Sequence, residues 1–144
     1  LPLLAYRKAK QSIEKMGQGS RMMIITKAIE PTMIGYIEWF YNRGSNIRFE
    51  SNVLYTRNHI IEGLWKPGIL CASDKYDRAK KYLEGKGRTV IFGNTSEDLS
   101  MHRAAKDLGI ESIMIAVHPR DRQIEEEADV IMRSWPELHS KILR

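Results

Sequence analysis

Residues 88–117 read RTVIFGNTSEDLSMHRAAKDLGIESIMIAV. Thr89 to Phe92 (TVIF) is a short, almost wholly apolar run, which suits a strand buried on both faces of a parallel sheet. Gly93 and a polar loop follow, and then a helical stretch from about Ser96 to Leu108 that closes at Gly109, a residue type suited to a helix C-terminus. Ser112 to Val117 (SIMIAV) repeats the strand. Strand, helix and strand in this order form the unit that joins parallel neighbours through a crossover helix.

Upstream the same alternation recurs. Arg21 to Lys27 (RMMIITK) reads as another buried strand with Thr26 at its end. Pro31 can occupy the first turn of a helix, whose apolar stripe is Met33, Ile34, Ile37, Phe40 and Tyr41 and which stops before Gly44. Residues 2–16 form an amphipathic helix on the spacing of Leu3, Leu4, Ala9, Ile13 and Met16, stopped by Gly17 to Ser20. Between Ile47 and Trp65 the short runs Asn52 to Tyr55 and His59 to Ile61 suggest small strands or a hairpin. Lys66, Pro67 and Gly68 make a turn, Ile69 to Ala72 is extended, and Asp74 caps a helix from Lys75 to about Glu84, ended by Gly85 and Gly87. Downstream, Ala128 to Met132 (ADVIM) is a shorter strand, and Trp135 to Leu143 is a terminal helix with Pro136 in its first turn. The alternation predicts an α/β, three-layer Rossmann-like fold with a parallel sheet covered on both faces, as a single domain over residues 1–144.

With 42% hydrophobic and 28% charged residues in 144, the chain can build a real core. No apolar run approaches the roughly 18 residues needed to cross a bilayer, and Leu1 to Ala5 is too short for a signal peptide, so the expectation is a soluble, cytoplasmic protein without a membrane partner. The single cysteine, Cys71, cannot form an internal disulfide and reads as a small buried hydrophobe. His59, His102, His118 and His139 are scattered without zinc-ligand spacing and read as surface or packing residues, while Trp39, Trp65 and Trp135 read as core or interface. A formal charge of +5 favours encounter with anions, but acids are interleaved, as in Arg78, Lys80, Lys81 and then Glu84, which describes a solvated surface. Nucleic acid is therefore the least favoured partner.

Ligands of doubly wound sheets sit at the carboxyl ends of the strands, which directs attention to the loops after Thr26, Ala72 and Phe92. Taken in order, MMIITKAIEP (22–31), SDKYDRAKKYLEGKG (73–87) and the run 88–117 resemble the second, third and fourth motifs of the haloacid dehalogenase superfamily, in its phosphoserine-phosphatase-like branch. The ending ADVIMRSWPELHSKILR (128–144) is similar to the family's last strand and helix, so the likeness runs from about Arg21 to the end. The resemblance implies that the Thr26 hydroxyl binds a substrate phosphoryl group and that Lys75 steadies the nucleophile and the phosphoryl charge. It also implies a magnesium site at the fourth motif, Gly-Asp, three residues, Asp. Here that motif reads Gly93, Asn94, Thr95, Ser96, Glu97, Asp98, with asparagine where the family has a metal-binding aspartate. Mg²⁺ usually takes one or two carboxylates, so Asn94 and Asp98 are the metal-site candidates of a weakened site. Each segment also has a structural reading: a threonine ending a strand, a lysine in a first helical turn, and Thr95 or Ser96 capping a helix whose acids complement its dipole.

The family's first motif, Asp-x-Asp, supplies the attacking carboxylate and the acid–base partner. No Asp-x-Asp occurs in this sequence, and its first aspartate of any kind is Asp74. In the family that motif ends a strand lying between the Thr26 strand and the Phe92 strand, so the domain is expected to be incomplete, with a sheet lacking its usual first strand. Such a sheet is expected to close on itself, to take a strand from another polypeptide, or to self-associate. Three functions follow as expectations: a noncatalytic subunit, regulator or scaffold; the later portion of a Mg-dependent phosphatase whose Asp-x-Asp segment lies upstream or on another chain; and a basic polyanion-binding module. A phosphate-containing small molecule is the expected ligand of the first two.

Overall fold

The structure is a computed structural model that describes residues 11, 15, 21–29, 47–58, 60–64, 68–69, 71–134 and 137. The helices expected over 2–16, from Pro31 to before Gly44 and over Trp135 to Leu143 lie almost wholly outside these residues, as do Trp39, Trp65, Trp135, His59 and His139. The backbone divides into two compact units, one within residues 13–70 and the other from Cys71 onward.

In the first unit, β1 (Met22–Ile29) pairs in parallel with β2 (Ile47–Asn52), from Met22 opposite Ile47 to Ile25 opposite Glu50. The register then shifts before Ile29 meets Asn52. β3 (Leu54–Arg57) and β4 (Ile60–Leu64) form an antiparallel hairpin closed between Arg57 and Ile60. Asn58 takes the left-handed backbone that such a tight turn needs, at φ 50°, a conformation asparagine tolerates better than most residues. The hairpin expected between Ile47 and Trp65 is therefore present, but residues 47–52 serve β1 instead of the hairpin. Asn52 fastens this unit: its buried amide donates to the carbonyls of Lys27 (2.8 Å) and Ile69 (3.0 Å) and accepts the Ile69 N–H (2.6 Å).

The second unit holds α1 (Ala72–Leu83), β5 (Arg88–Gly93), a 3₁₀ turn (Ser96–Asp98), α2 (Leu99–Asp107), β6 (Glu111–Val117), α3 (Arg122–Glu127) and β7 (Val130–Met132). β5, β6 and β7 lie side by side in that order and all run parallel, the architecture that residues 88–117 predict. α2 packs on β5 and β6, and α1 packs on α2. Met114, Ala104, Ala105, Ile124 and Leu99 are essentially solvent-free, and each of the large ones contributes roughly 1.5–3 kcal/mol by leaving water. α2 stops at Gly109, whose φ of 68° is left-handed and costs glycine no Cβ clash.

Four local expectations are corrected. β1 runs on to Ile29, so Thr26 lies inside the strand and not at its end. α1 begins at Ala72 and not at Lys75, because Asp74 accepts the Cys71 N–H (2.9 Å) from inside the first turn and Cys71 is the residue at the cap. Cys71 is exposed and not buried, its thiol 3.2 Å from the Asp74 carboxylate and 3.0 Å from the Ser73 hydroxyl. The helix expected from Ser96 starts as a 3₁₀ turn and becomes α-helical only at Leu99.

Candidate functional site

α1 turns one stripe inward, made of Lys75, Ala79 and Leu83 at successive four-residue steps. A lysine in a first helical turn is ordinarily solvated, yet the Lys75 side chain is only 9% exposed, and so is that of Asp98, which it meets at 2.6 Å. Asp98 lies buried under the tip of β5. One of its oxygens accepts from Lys75 Nζ; the other accepts the N–H groups of Asn94 (2.8 Å) and Thr95 (3.1 Å) and the Thr95 hydroxyl (3.4 Å). The carboxylate thus orders the turn that leaves the strand and holds the ammonium beside it.

Gly93 makes that arrangement sterically feasible. A Cβ there would fall 2.8 Å from Asp98 Cγ and Oδ2 and closer still to Asp98 Cβ, so a side chain would drive the carboxylate out. A second carboxylate, Asp121, accepts the Ser96 N–H (2.8 Å) and caps α3 by accepting the Ile124 N–H (3.1 Å), while the Arg120 N–H donates to the Asn94 carbonyl (2.7 Å). The loops after β5 and β6 are thereby tied together at the carboxyl ends of their strands. The amides of Ser96 and then Ile124 hold the Asp121 carboxyl below the ordinary range, since each favours the charged form.

Of the residues singled out in the sequence, Lys75, Asn94 and Asp98 are brought together in this unit. Thr26 belongs to the unit within residues 13–70, half-buried in β1 where the pairing to β2 shifts register. Its Oγ1 accepts the Ala28 N–H at 3.1 Å, and the same oxygen carries an O–H able to donate to an anion. The close approach of Gly93 to Asp98 and the part played by Asp121 are not read from the sequence, although Asp121 three residues before Ile124, at the head of a charged stretch, is an N-cap signal visible there.

Fixed cationic charge and ordered amides at a strand tip can stabilise an oxyanion. The fit to magnesium is poor within this unit: Asp98 already accepts from Lys75 and from two amides, and Asn94 offers only a neutral carbonyl. Among the described residues no group of three or more His, Cys, Asp or Glu side chains could hold a metal ion. A cation held by Asn94 and Asp98 would need carboxylates from elsewhere. No described helix is long and apolar enough to cross a membrane.

No protein-family model matches the sequence, and no curated protein matches it. Solved structures do match its fold. A probable phosphoserine phosphatase from Vibrio cholerae aligns with 81% of this chain and 34% of its own length at 19% identity and a TM-score of 0.61. A phosphoserine phosphatase from T. onnurineus, in complex with NDSB-201, aligns with 94% of this chain and 56% of its own at 16% identity and 0.62. Cytosolic 5′-nucleotidase IIIB bound to cytidine aligns with 94% and 53% at 12% identity and 0.59. This chain thus spans between about a third and just over half of the length of each. All three are haloacid dehalogenase superfamily proteins, and it is their Rossmann-like α/β fold that this chain shares.

Proposed function

We propose that this chain is a haloacid-dehalogenase-like module that does not turn over phosphate esters by itself and acts as a subunit, regulator or scaffold. One observation carries the reading: the buried Lys75–Asp98 pair is intact at the tip of β5, while the sequence has no Asp-x-Asp and carries asparagine at position 94. Positioning and electrostatics without a nucleophile leave little of a covalent route. The test is hydrolysis of phosphoserine, a nucleotide monophosphate and p-nitrophenyl phosphate by the purified chain with and without magnesium. Turnover at the buffer background is expected; robust turnover that disappears in Lys75→Met overturns the reading.

A second reading is favoured by the partial span of the matching structures. In it the chain is the later portion of a magnesium-dependent phosphatase, and another segment brings both the Asp-x-Asp strand and the carboxylates that the metal lacks here. Thr26 would then receive the phosphoryl oxygens, and Lys75 would offset their charge and that of the attacking carboxylate. Adding an Asp-x-Asp segment in cis or in trans creates activity if this is so, and a complex that forms but stays silent refutes it. Polyanion binding rests only on the +5 charge; it requires affinity that falls steeply with salt, and salt-insensitive binding dismisses it.

A further inference from the structure

β5 runs beside β6 from Arg88 opposite Glu111 to Gly93 opposite Ala116 without a shift of register. Among the described residues β6 is the only strand paired with β5, so alternate N–H and C=O groups of residues 88–93 point away from the sheet with no strand to receive them. The other strand edges carry features that discourage pairing. β7 is three residues long, the β1–β2 ladder shifts register between Ile25 and Ile29, and the β3–β4 hairpin is irregular between Tyr55 and Thr56. β5 has none of these, and it has no proline and no charged side chain after Arg88. Val90, 47% exposed, stands in register beside Ile113, 43% exposed, so an apolar strip reaches the open edge from the neighbouring strand.

We propose that this edge is an interface between two copies of the chain. β5 pairs antiparallel with β5 of the second copy about a two-fold axis normal to the sheet, and two three-stranded sheets become one of six strands in the order β7-β6-β5-β5-β6-β7.

Such an axis keeps each face of the sheet on its own side, so only residues of like facing stand opposite each other. With the axis at Ile91, that residue meets its own copy, Val90 meets Phe92 and Thr89 meets Gly93. With the axis at Val90, Val90 meets its own copy, Thr89 meets Ile91 and Arg88 meets Phe92. Neither register sets like charges opposite each other, and both cover the exposed Val90 with an apolar neighbour. The strand is its own complement, and beyond Arg88 it has no charge with which to select an unlike partner. Because the paired strands run in opposite directions, the two strand tips with their Lys75–Asp98 pairs lie at opposite ends of the joined sheet. The pairing is independent of any reaction at those tips.

Sedimentation of the full 144-residue chain over a concentration series, with amide hydrogen exchange at low and high concentration, tests it. The expected results are a monomer–dimer equilibrium and, in the dimer, slower exchange at those amides of residues 88–93 that are not given to β6. Val90→Lys should abolish the dimer, because a lysine on a strand edge opposes pairing and this side chain already faces solvent in the single chain. Ile61→Lys, on the exposed hairpin, should leave the dimer intact. A chain that stays monomeric up to its solubility limit overturns the proposal. So does a dimer that survives Val90→Lys or dissolves in Ile61→Lys. Exchange in β5 that does not change with concentration also overturns it, a readout on the unsubstituted chain that serves even if Val90→Lys fails to fold.

Discussion

Lys75 is the residue at which sequence and packing meet. Its charge fits a phosphate-handling reading and its place on the Lys75–Ala79–Leu83 stripe forces it into the interior, where Asp98 must answer it. Lys75→Met leaves Asp98 buried without its cation and should cost about 3–5 kcal/mol in urea unfolding. Lys75→Met with Asp98→Leu removes both charges and should recover part of that loss; a double variant no more stable than the single would show that Asp98 matters through the Asn94 and Thr95 amides instead. Gly93→Ala should cost about 1–3 kcal/mol by the same measurement, since an added methyl meets the Asp98 side chain. Lys75, Asn94 and Asp98 were legible because a motif fixes their spacing along the chain. The role of Gly93 was not, because a close approach in space leaves no mark on the spacing.

Among elements, Asp121 joins two loops through one carboxylate, the Ser96 amide on one oxygen and the Ile124 amide on the other. Asp121→Ala should lower the urea midpoint, because the cap of α3 is lost. Because its folded carboxyl titrates lower than in the unfolded chain, its contribution is complete above the ordinary Asp range and fades as pH falls below about 3.8. Asp121→Asn keeps a cap that does not titrate, so chemical melts from pH 6 to 3 should show a smaller acid loss in that variant. Asn52 has a comparable place in the other unit, and Asn52→Ala, which strands the Ile69 N–H and two carbonyls, should lower stability there by about 1–3 kcal/mol for each group that water cannot reach. Strands β1, β5, β6 and β7 could be read from their apolar runs, although Val90, Ile113 and Ile131 stand exposed and not buried as expected. The pairing of β2 with β1 could not, because parallel partners are distant in sequence and carry no local register signal, and α3 escaped because RQIEEE offers a single apolar residue, Ile124.

At the scale of the whole molecule the order of motifs decided more than composition did. A +5 charge and an ordinary hydrophobic content fit many folds, whereas a strand that carries Thr26, a helix opening near Lys75 and the run from Arg88 to Val117 fit few, and structures of phosphatase fold match over most of the chain. What those motifs could not convey is the metal chemistry. Asp98 proves to be occupied by a lysine and two amides, a fact of three-dimensional hydrogen bonding and not of residue type. The proposed role therefore depends on a strand tip that keeps its buried Lys75–Asp98 pair in a sequence without Asp-x-Asp. Intact-mass analysis of the chain after incubation with acetyl phosphate and magnesium tests this most directly. The expected spectrum is that of the unmodified chain, and a magnesium-dependent gain of one phosphoryl group, mapped to an aspartate and lost in Lys75→Met, would contradict it.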